Sequence, residues 1–283
     1  MEDQKIHIEK YNGNVEPFQV EKLKNSLRRS KASESEIDKI VKNIMPTLYE
    51  GITSKEIYKK AFSLLKKYNR TSASKYSLKR AILDLGPTGY PFERLISALL
   101  RHKGFQTKVG VILQGECVTH EVDVLAKKDG NTYTVECKFH SDPKATSNVR
   151  VPLYINSRFL DIQEYWNKDP EKASRLKQGW LVTNTRFTLD AITYSDCVGL
   201  QLLSWDYPEN NGIKHNVDAY TLYPITTLTT LTKHEKHQLI KKDIVLTREL
   251  FNNSDALKEI DVSAVRIKRV MNELLNLIDL END

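Results

Sequence analysis

Apolar positions change their spacing along the chain, and each change marks a change of element. Residues 5–18 alternate around Asn12-Gly13, a dipeptide that supplies the positive φ of a tight hairpin, so two short strands are expected there. Helical spacing then takes over. Helices are predicted over 20–30, from Ser33 with Glu36 three residues on, from Thr53 with Glu56 in the same relation, and around 72–85; the Ser/Thr-x-x-Glu pairs are capping signals. Gly86-Pro87-Thr88-Gly89 breaks the run and sets a boundary. Phe92, Leu95, Ile96, Leu99 and Leu100 then fall on one helical face within 91–103, which Gly104 ends. A strand-rich stretch covers 105–139, followed by a helix at 156–166, a strand at 179–182, a helix at 188–194 and a strand at 199–204. Beyond Pro224 the pattern is helical only. Strands interleaved with helices predict an α/β domain in which helices cover a central sheet, so the chain divides into 1–86, 87–223 and 224–283.

Composition adds limits. At 283 residues two or three domains can each bury a core. With 40% hydrophobic and 28% charged residues and no long uncharged run, disordered, fibrous and membrane-spanning classes are excluded. Cys117, Cys137 and Cys197 form no CxxC pair and leave an odd thiol, which favours neither a zinc site nor a secreted disulfide framework, and a cytoplasmic location is expected. The charged first residues, MEDQKIHIEK, do not have the form of a cleaved signal. The net charge of +6 is uneven: residues 1–90 hold 18 Lys or Arg against 11 Asp or Glu, whereas 91–223 balance at 16 each and 224–283 hold 9 against 10. That excess points to an anionic partner for the first third, or to a solvated helical face.

The densest chemistry lies in His120-Glu121-Val122-Asp123-Val124 and Thr134-Val135-Glu136-Cys137-Lys138, strands joined by a turn at Asp129-Gly130. If those two residues form the loop, Lys128 pairs with Asn131, and stepping outward sets Asp123 opposite Glu136. Thr134, Glu136 and Lys138 then share one face, while Val135, Cys137 and Phe139 pack on the other. Opposed carboxylates repel unless a cation lies between them. Hard oxygen ligands suit Mg²⁺ or Mn²⁺, and Lys138 could orient a water or steady developing negative charge, which is the chemistry of phosphodiester hydrolysis. An ion-pair network on a solvated sheet face is the structural alternative.

This E-V-D and E-C-K pattern resembles the active site of PD-(D/E)XK nucleases, in particular the Mrr-like, type IV restriction endonuclease branch, over about 90–205, from PFERLISALLRHKGF to GWLVTNTRFTLDAITYSDCVGLQLLSW. The resemblance implies a restriction-endonuclease-like core with a mixed central sheet. It makes Asp123 and Glu136 metal ligands, Lys138 the catalytic lysine and Glu93 a further acid near the metal. Many Mrr-like members have Gln where this chain has Glu136. His140, Lys144, Arg150 and Arg158 follow the catalytic strand and are candidate phosphate contacts to DNA.

Residues 5–84 resemble the ATP-cone, a regulatory nucleotide-binding module, through IEKYNGNVEPF, EKLKNSL, GITSKEIYKKAFSLL and ASKYSLKRAI in order. A glycine-containing hairpin lets backbone approach a triphosphate and lysines neutralise it. The resemblance implies ATP or dATP as a regulatory ligand near Lys10, Gly13, Glu16, Lys22 and Thr53, with Arg80 at the phosphates. Tyr11 stands where the family usually has a second basic residue. The absence of a GxxxxGK sequence predicts binding without hydrolysis, and cones elsewhere imply a homo-oligomer. The tail resembles a helix-hairpin-helix unit, with Lys242-Asp243-Ile244 and Ile260-Asp261-Val262 in place of the usual turn glycines; DNA contact and a packing or dimer role both remain open. The expected protein is a nucleotide-regulated, metal-dependent DNA endonuclease in defence against foreign DNA. Its rivals are a nucleotide-responsive DNA-binding regulator without activity, or a nuclease acting on RNA or branched DNA.

Overall fold

The computed structural model describes residues 6–10, 13–172 and 175–278; Tyr11 and Asn12 of the predicted hairpin turn lie outside them. Strand β1 (His7–Glu9) pairs antiparallel with β2 (Val15–Pro17), as the alternation requires, and parallel with a short β3 (Ile52–Thr53). Helix α1 (Val20–Arg28) follows, then α2 (Glu34–Ile44), whose Ser33 and Glu36 form the reciprocal capping box. The Thr53 side chain caps α3 (Ser54–Tyr68) by accepting the Glu56 N–H. Leu27, Ile37, Ile40, Ile52, Ala61 and Leu65 form the core of this unit.

The single helix expected around 72–85 is two, α4 (Arg70–Tyr76) and α5 (Leu78–Leu83), because Ser77 leaves helical geometry with ψ near 0 and turns its hydroxyl back onto the Ser74 carbonyl at 2.9 Å. After the Gly86–Gly89 break comes α6 (Tyr90–His102). The central sheet has five strands in the order β10-β8-β6-β5-β4. Strands β4 (Gln106–Gln114), β5 (Thr119–Lys128) and β6 (Asn131–Lys138) form an antiparallel meander, and β6, β8 (Leu176–Thr183) and β10 (Gln201–Leu203) run parallel. The mixed sheet expected from the sequence is therefore present. A small parallel pair, β7 (Thr146–Ser147) and β9 (Arg186–Phe187), lies beside it.

One face of the sheet is covered by α6 through Phe92, Leu95, Ile96 and Leu99. The other is covered by α7 (Arg150–Asn167) and α8 (Leu189–Val198), through Ile155, Ile162 and Ile192. Helix α7 starts earlier than its spacing suggests, because Pro152 falls in its first turn, where no intrahelical N–H bond is lost. The tail is helical as expected, with α9 (Ile213–Ala219) ahead of it and then α10 (Lys233–Lys241), α11 (Thr247–Asn252), α12 (Ala256–Glu259) and α13 (Ala264–Ile278). Asp243 (φ +64) and Asp261 (φ +59) adopt the left-handed geometry at the two turns where the resemblance has glycine.

The three segments do not have three separate cores. Leu78, Ile82 and Leu85 from the first join Val124, Val135 and Val182 of the sheet and Leu239, Leu257 and Leu274 of the tail in one cluster. Buried Glu273 on α13 ties them with hydrogen bonds, accepting from the Ser74 hydroxyl, the Thr229 and Thr230 N–H groups and the Thr230 hydroxyl. Among the described residues no helix is long and apolar enough to cross a membrane.

Candidate functional site

The turn at Asp129-Gly130 sets Lys128 opposite Asn131, as its length predicts, and the β5–β6 ladder then runs to Val124↔Val135. It stops one step short of the two acids. Asp123 therefore does not face Glu136 as a ladder pair: its Oδ2 reaches across to accept the Cys137 N–H at 2.6 Å. The strands bend at this point. Val124 and Ala126 pack with α6, but Val122 packs with Ile162 of α7; on β4, Val109 and Leu113 divide the same way. Between the ladder pairs Val109↔Val124 and Val111↔Val122 lies Gly110, whose φ of +63 a side chain would strain. The bend falls at Asp123, within β5, which neither ladder pairs.

Glu136, only 7% exposed, faces α7 and takes Arg158 as its partner, Nη1 to Oε2 at 2.9 Å. Arg158 also donates to the Glu121 carbonyl and lies over the Tyr154 ring. Arg158, a candidate DNA contact in the sequence, is thus turned into the acid cluster. Glu93, in the first turn of α6, completes the group. Burial, then the Asp123 and Glu121 charges, raise its carboxyl to about 7. Glu136 is raised to about 8 by burial and Asp123 against the opposing pull of Arg158, and Asp123 is also raised, chiefly by burial. Burial is the largest cause in all three, so the charged acids lack the hydration that water would give them. Glu121 was not singled out beforehand, although it stands in the E-V-D motif itself.

Lys138 ends β6 with its side chain exposed, and its carbonyl accepts the Thr183 hydroxyl at 2.8 Å. Past it the chain is clamped by Asn184, which bonds both the N–H and the carbonyl of His140 at 2.8 Å. The half-buried His140 ring meets Ser147, and burial lowers its pKa. Lys144 and Arg150 are exposed. Among the described residues no three His, Cys, Asp or Glu side chains converge as a metal site in this arrangement. The donor chemistry fits a hard divalent cation nonetheless: Asp123, Glu136 and Glu93 offer only oxygen, and Asp123 raises the proton affinity of both Glu93 and Glu136.

In the N-terminal unit, Glu16 draws together Lys10 at 2.9 Å and Lys22 at 3.1 Å, and their hydrogen bonds hold its carboxyl below the usual range. Gly13 adopts φ +85 beside them, with open space where a Cβ would stand. Thr53 is one strand over, opposite Glu9. Arg80 is not part of this group; it pairs with Asp84, just past the end of its own helix, at 3.0 Å.

Comparison with known proteins bears on both ends of the chain. The ATP cone domain family matches residues 6–84, and the family described as AF1548-like, C-terminal, matches 223–278. An uncharacterised protein of Archaeoglobus fulgidus is 36% identical over 184 residues, covering 65% of this chain and 99% of the relative. A crystal structure of a protein of unknown function, AF1548, is similar with a TM-score of 0.56 and 35% identity, over 68% of this chain and 99% of that one. The chain belongs to the AF1548-like family. It carries an ATP-cone domain at its N-terminus.

Proposed function

We propose that the protein is a nucleotide-regulated, Mg²⁺- or Mn²⁺-dependent endonuclease that hydrolyses phosphodiester bonds in DNA. The observation that carries this reading is the cluster of Glu93 in the first turn of α6, Asp123 within β5 and Glu136 on β6, with proton affinities raised to about 7 and about 8 at Glu93 and Glu136 and Lys138 two residues beyond Glu136. Asp123 and Glu136 would hold the ion, and Glu93 would add a further oxygen. A bound divalent ion polarises the phosphodiester and lowers the pKa of a water. Lys138 orients that water or steadies charge on the phosphate, while Arg158, released from Glu136, becomes free to meet a phosphate oxygen. The hairpin cluster of Lys10, Gly13, Glu16 and Lys22 binds ATP or dATP and sets the level of activity; transfer of the two lysines from Glu16 to the nucleotide's phosphates would cost little, because the freed carboxylate is exposed enough to be solvated.

The experiment is incubation of the full chain with supercoiled plasmid and Mg²⁺, with and without ATP or dATP. Nicking or linearisation that changes with nucleotide is expected, and full cleavage retained by a Glu136→Ala, Lys138→Ala double variant rejects the assigned residues. The ion pair from Arg158 to Glu136 favours one second reading, a nucleotide-responsive DNA-binding regulator whose acids are already neutralised. Calorimetric titration with Mn²⁺ separates the two: the nuclease binds the ion and loses it with Asp123→Asn, whereas the regulator binds none.

A further inference from the structure

Beside the Asp129-Gly130 turn, the sheet and the last turn of α7 border a cavity of about 650 Å³, within the range of about 300–1,000 Å³ that small-molecule sites occupy. It is set apart from the acid cluster. Lys127 stands four residues past Asp123, and Thr132 four before Glu136, roughly 13 Å along each strand at about 3.3 Å per residue. Three strands bring polar groups to the cavity in one row: Gln106 pairs with Lys127 and Lys127 with Thr132, so these side chains stand side by side on one face. Arg175 reaches the same edge because its carbonyl accepts the Thr132 N–H at 2.7 Å. Half-buried Trp166 supplies an aromatic wall.

The charges around this space do not satisfy one another. Lys172 is closed by Asp169 at 2.7 Å, and Lys128 donates to the Lys103 carbonyl at 2.8 Å. Among the described residues Lys127 and Arg175 make no ion pair, and neither do Asp129 and Glu171, although all four line the one cavity. Water can serve exposed charges. It serves the Thr132 hydroxyl poorly, because Thr132 is 4% exposed, and that hydroxyl makes no hydrogen bond among the described residues. A buried hydroxyl without a partner is costly, and this one belongs to a residue lining a space large enough for a ligand.

We infer that this cavity binds a mononucleotide, with its phosphate on Lys127 and Arg175, its base against Trp166 and its ribose hydroxyls toward Asp129 and Glu171. The lining calls for a ligand that carries a flat ring and polar groups of both kinds. A guanidinium fork matches phosphate oxygens, an aromatic face accepts any base, and a carboxylate accepts from ribose hydroxyls. Free phosphate would leave the ring and the carboxylates unused, and a plain sugar would leave the cations unused. None of Lys10, Glu16, Asp123, Glu136 or Lys138 lines the cavity. The site is therefore separate from the hairpin cluster and stands or falls apart from the proposed hydrolysis.

The test is calorimetric titration of the full chain in EDTA with AMP, UMP, adenosine and inorganic phosphate. The parent is compared with a Lys127→Ala, Arg175→Ala double variant, with Trp166→Leu, and with Lys10→Ala, which removes one of the two lysines at Glu16. AMP or UMP should bind the parent and Lys10→Ala alike, and about tenfold or more weakly the double variant and Trp166→Leu. Adenosine and phosphate, each carrying half of the ligand, should bind the parent about tenfold or more weakly than the better monophosphate. Monophosphate binding that falls in Lys10→Ala but holds in the double variant belongs to the hairpin and overturns the inference. So does a parent that binds neither monophosphate, or one that binds phosphate as tightly. Trp166 also packs with Leu176 and Ile162; should Trp166→Leu not fold, the double variant decides alone, because Lys127 and Arg175 are exposed. A chain that binds the monophosphate here yet never cleaves plasmid removes the nuclease reading and leaves this site standing.

Discussion

Replacing Glu136 by Gln should make the metal-free protein more stable in alkali than the parent. In the folded chain the Glu136 carboxyl is raised from 4.5 to about 8, first by burial and then by Asp123. A carboxyl whose folded value lies above its unfolded one contributes stability fully below about pH 4.5, and that stability is lost as pH rises through about 8. Each pH unit of difference is worth about 1.4 kcal/mol, so the loss amounts to up to about 5 kcal/mol. Glutamine mimics the protonated acid in size and in its contacts with Arg158, so the two proteins should unfold alike near pH 5. Above about pH 8 only the parent pays for a buried anion. Glu93, raised to about 7 by burial and Asp123, leaves the variant a smaller slope of its own. Urea denaturation in EDTA at about pH 5, 7 and 9 measures this directly, and adding Mg²⁺ at the highest pH should restore the parent but not the variant. Curves for the two proteins that stay parallel across the range refute the reasoning, because Glu136 would then be no more costly to ionise in the fold than out of it.

Three other outcomes follow from packing and hydrogen bonding. Glu273→Ala removes an acceptor used by Ser74, Thr229 and Thr230 and strands their donors; a loss of about 3 kcal/mol in chemical denaturation is expected. A Cβ at Gly86 would lie 2.6 Å from Phe139 Cε1, so Gly86→Ala should cost about 1–3 kcal/mol, and in the proposed enzyme it should slow plasmid cleavage by displacing the residue next to Lys138. Lys10→Ala frees Glu16 from one of its two lysines, and calorimetry should show ATP binding weakened by about tenfold or more.

Local signals in the sequence translated well. The Ser33–Glu36 box, the Thr53 cap and the Asp129-Gly130 turn each involve residues close in the chain, and each forms where its spacing says. What the spacing could not carry is which distant side chain arrives at a site. Arg158 reaches Glu136 only because α7 crosses the sheet at one angle, and no periodicity encodes that angle. The same holds for Glu273, which gathers donors from two far segments. Gly110 did carry a signal: an isolated glycine inside a strand often marks a bend, and here it lies where β4 and β5 change face beside Asp123. The two-residue strands β3, β7 and β9 are too short to show alternation at all.

Because Leu78, Ile82 and Leu85 are sealed into the same apolar interior as the sheet and the tail, the N-terminal unit is not a sensor on a tether. Swinging it away would expose those side chains to water, at about 1.5–3 kcal/mol for each. A ligand arriving at the β1–β2 turn would therefore act through the wall that α5 shares with the sheet and the tail, and not as a latch that opens.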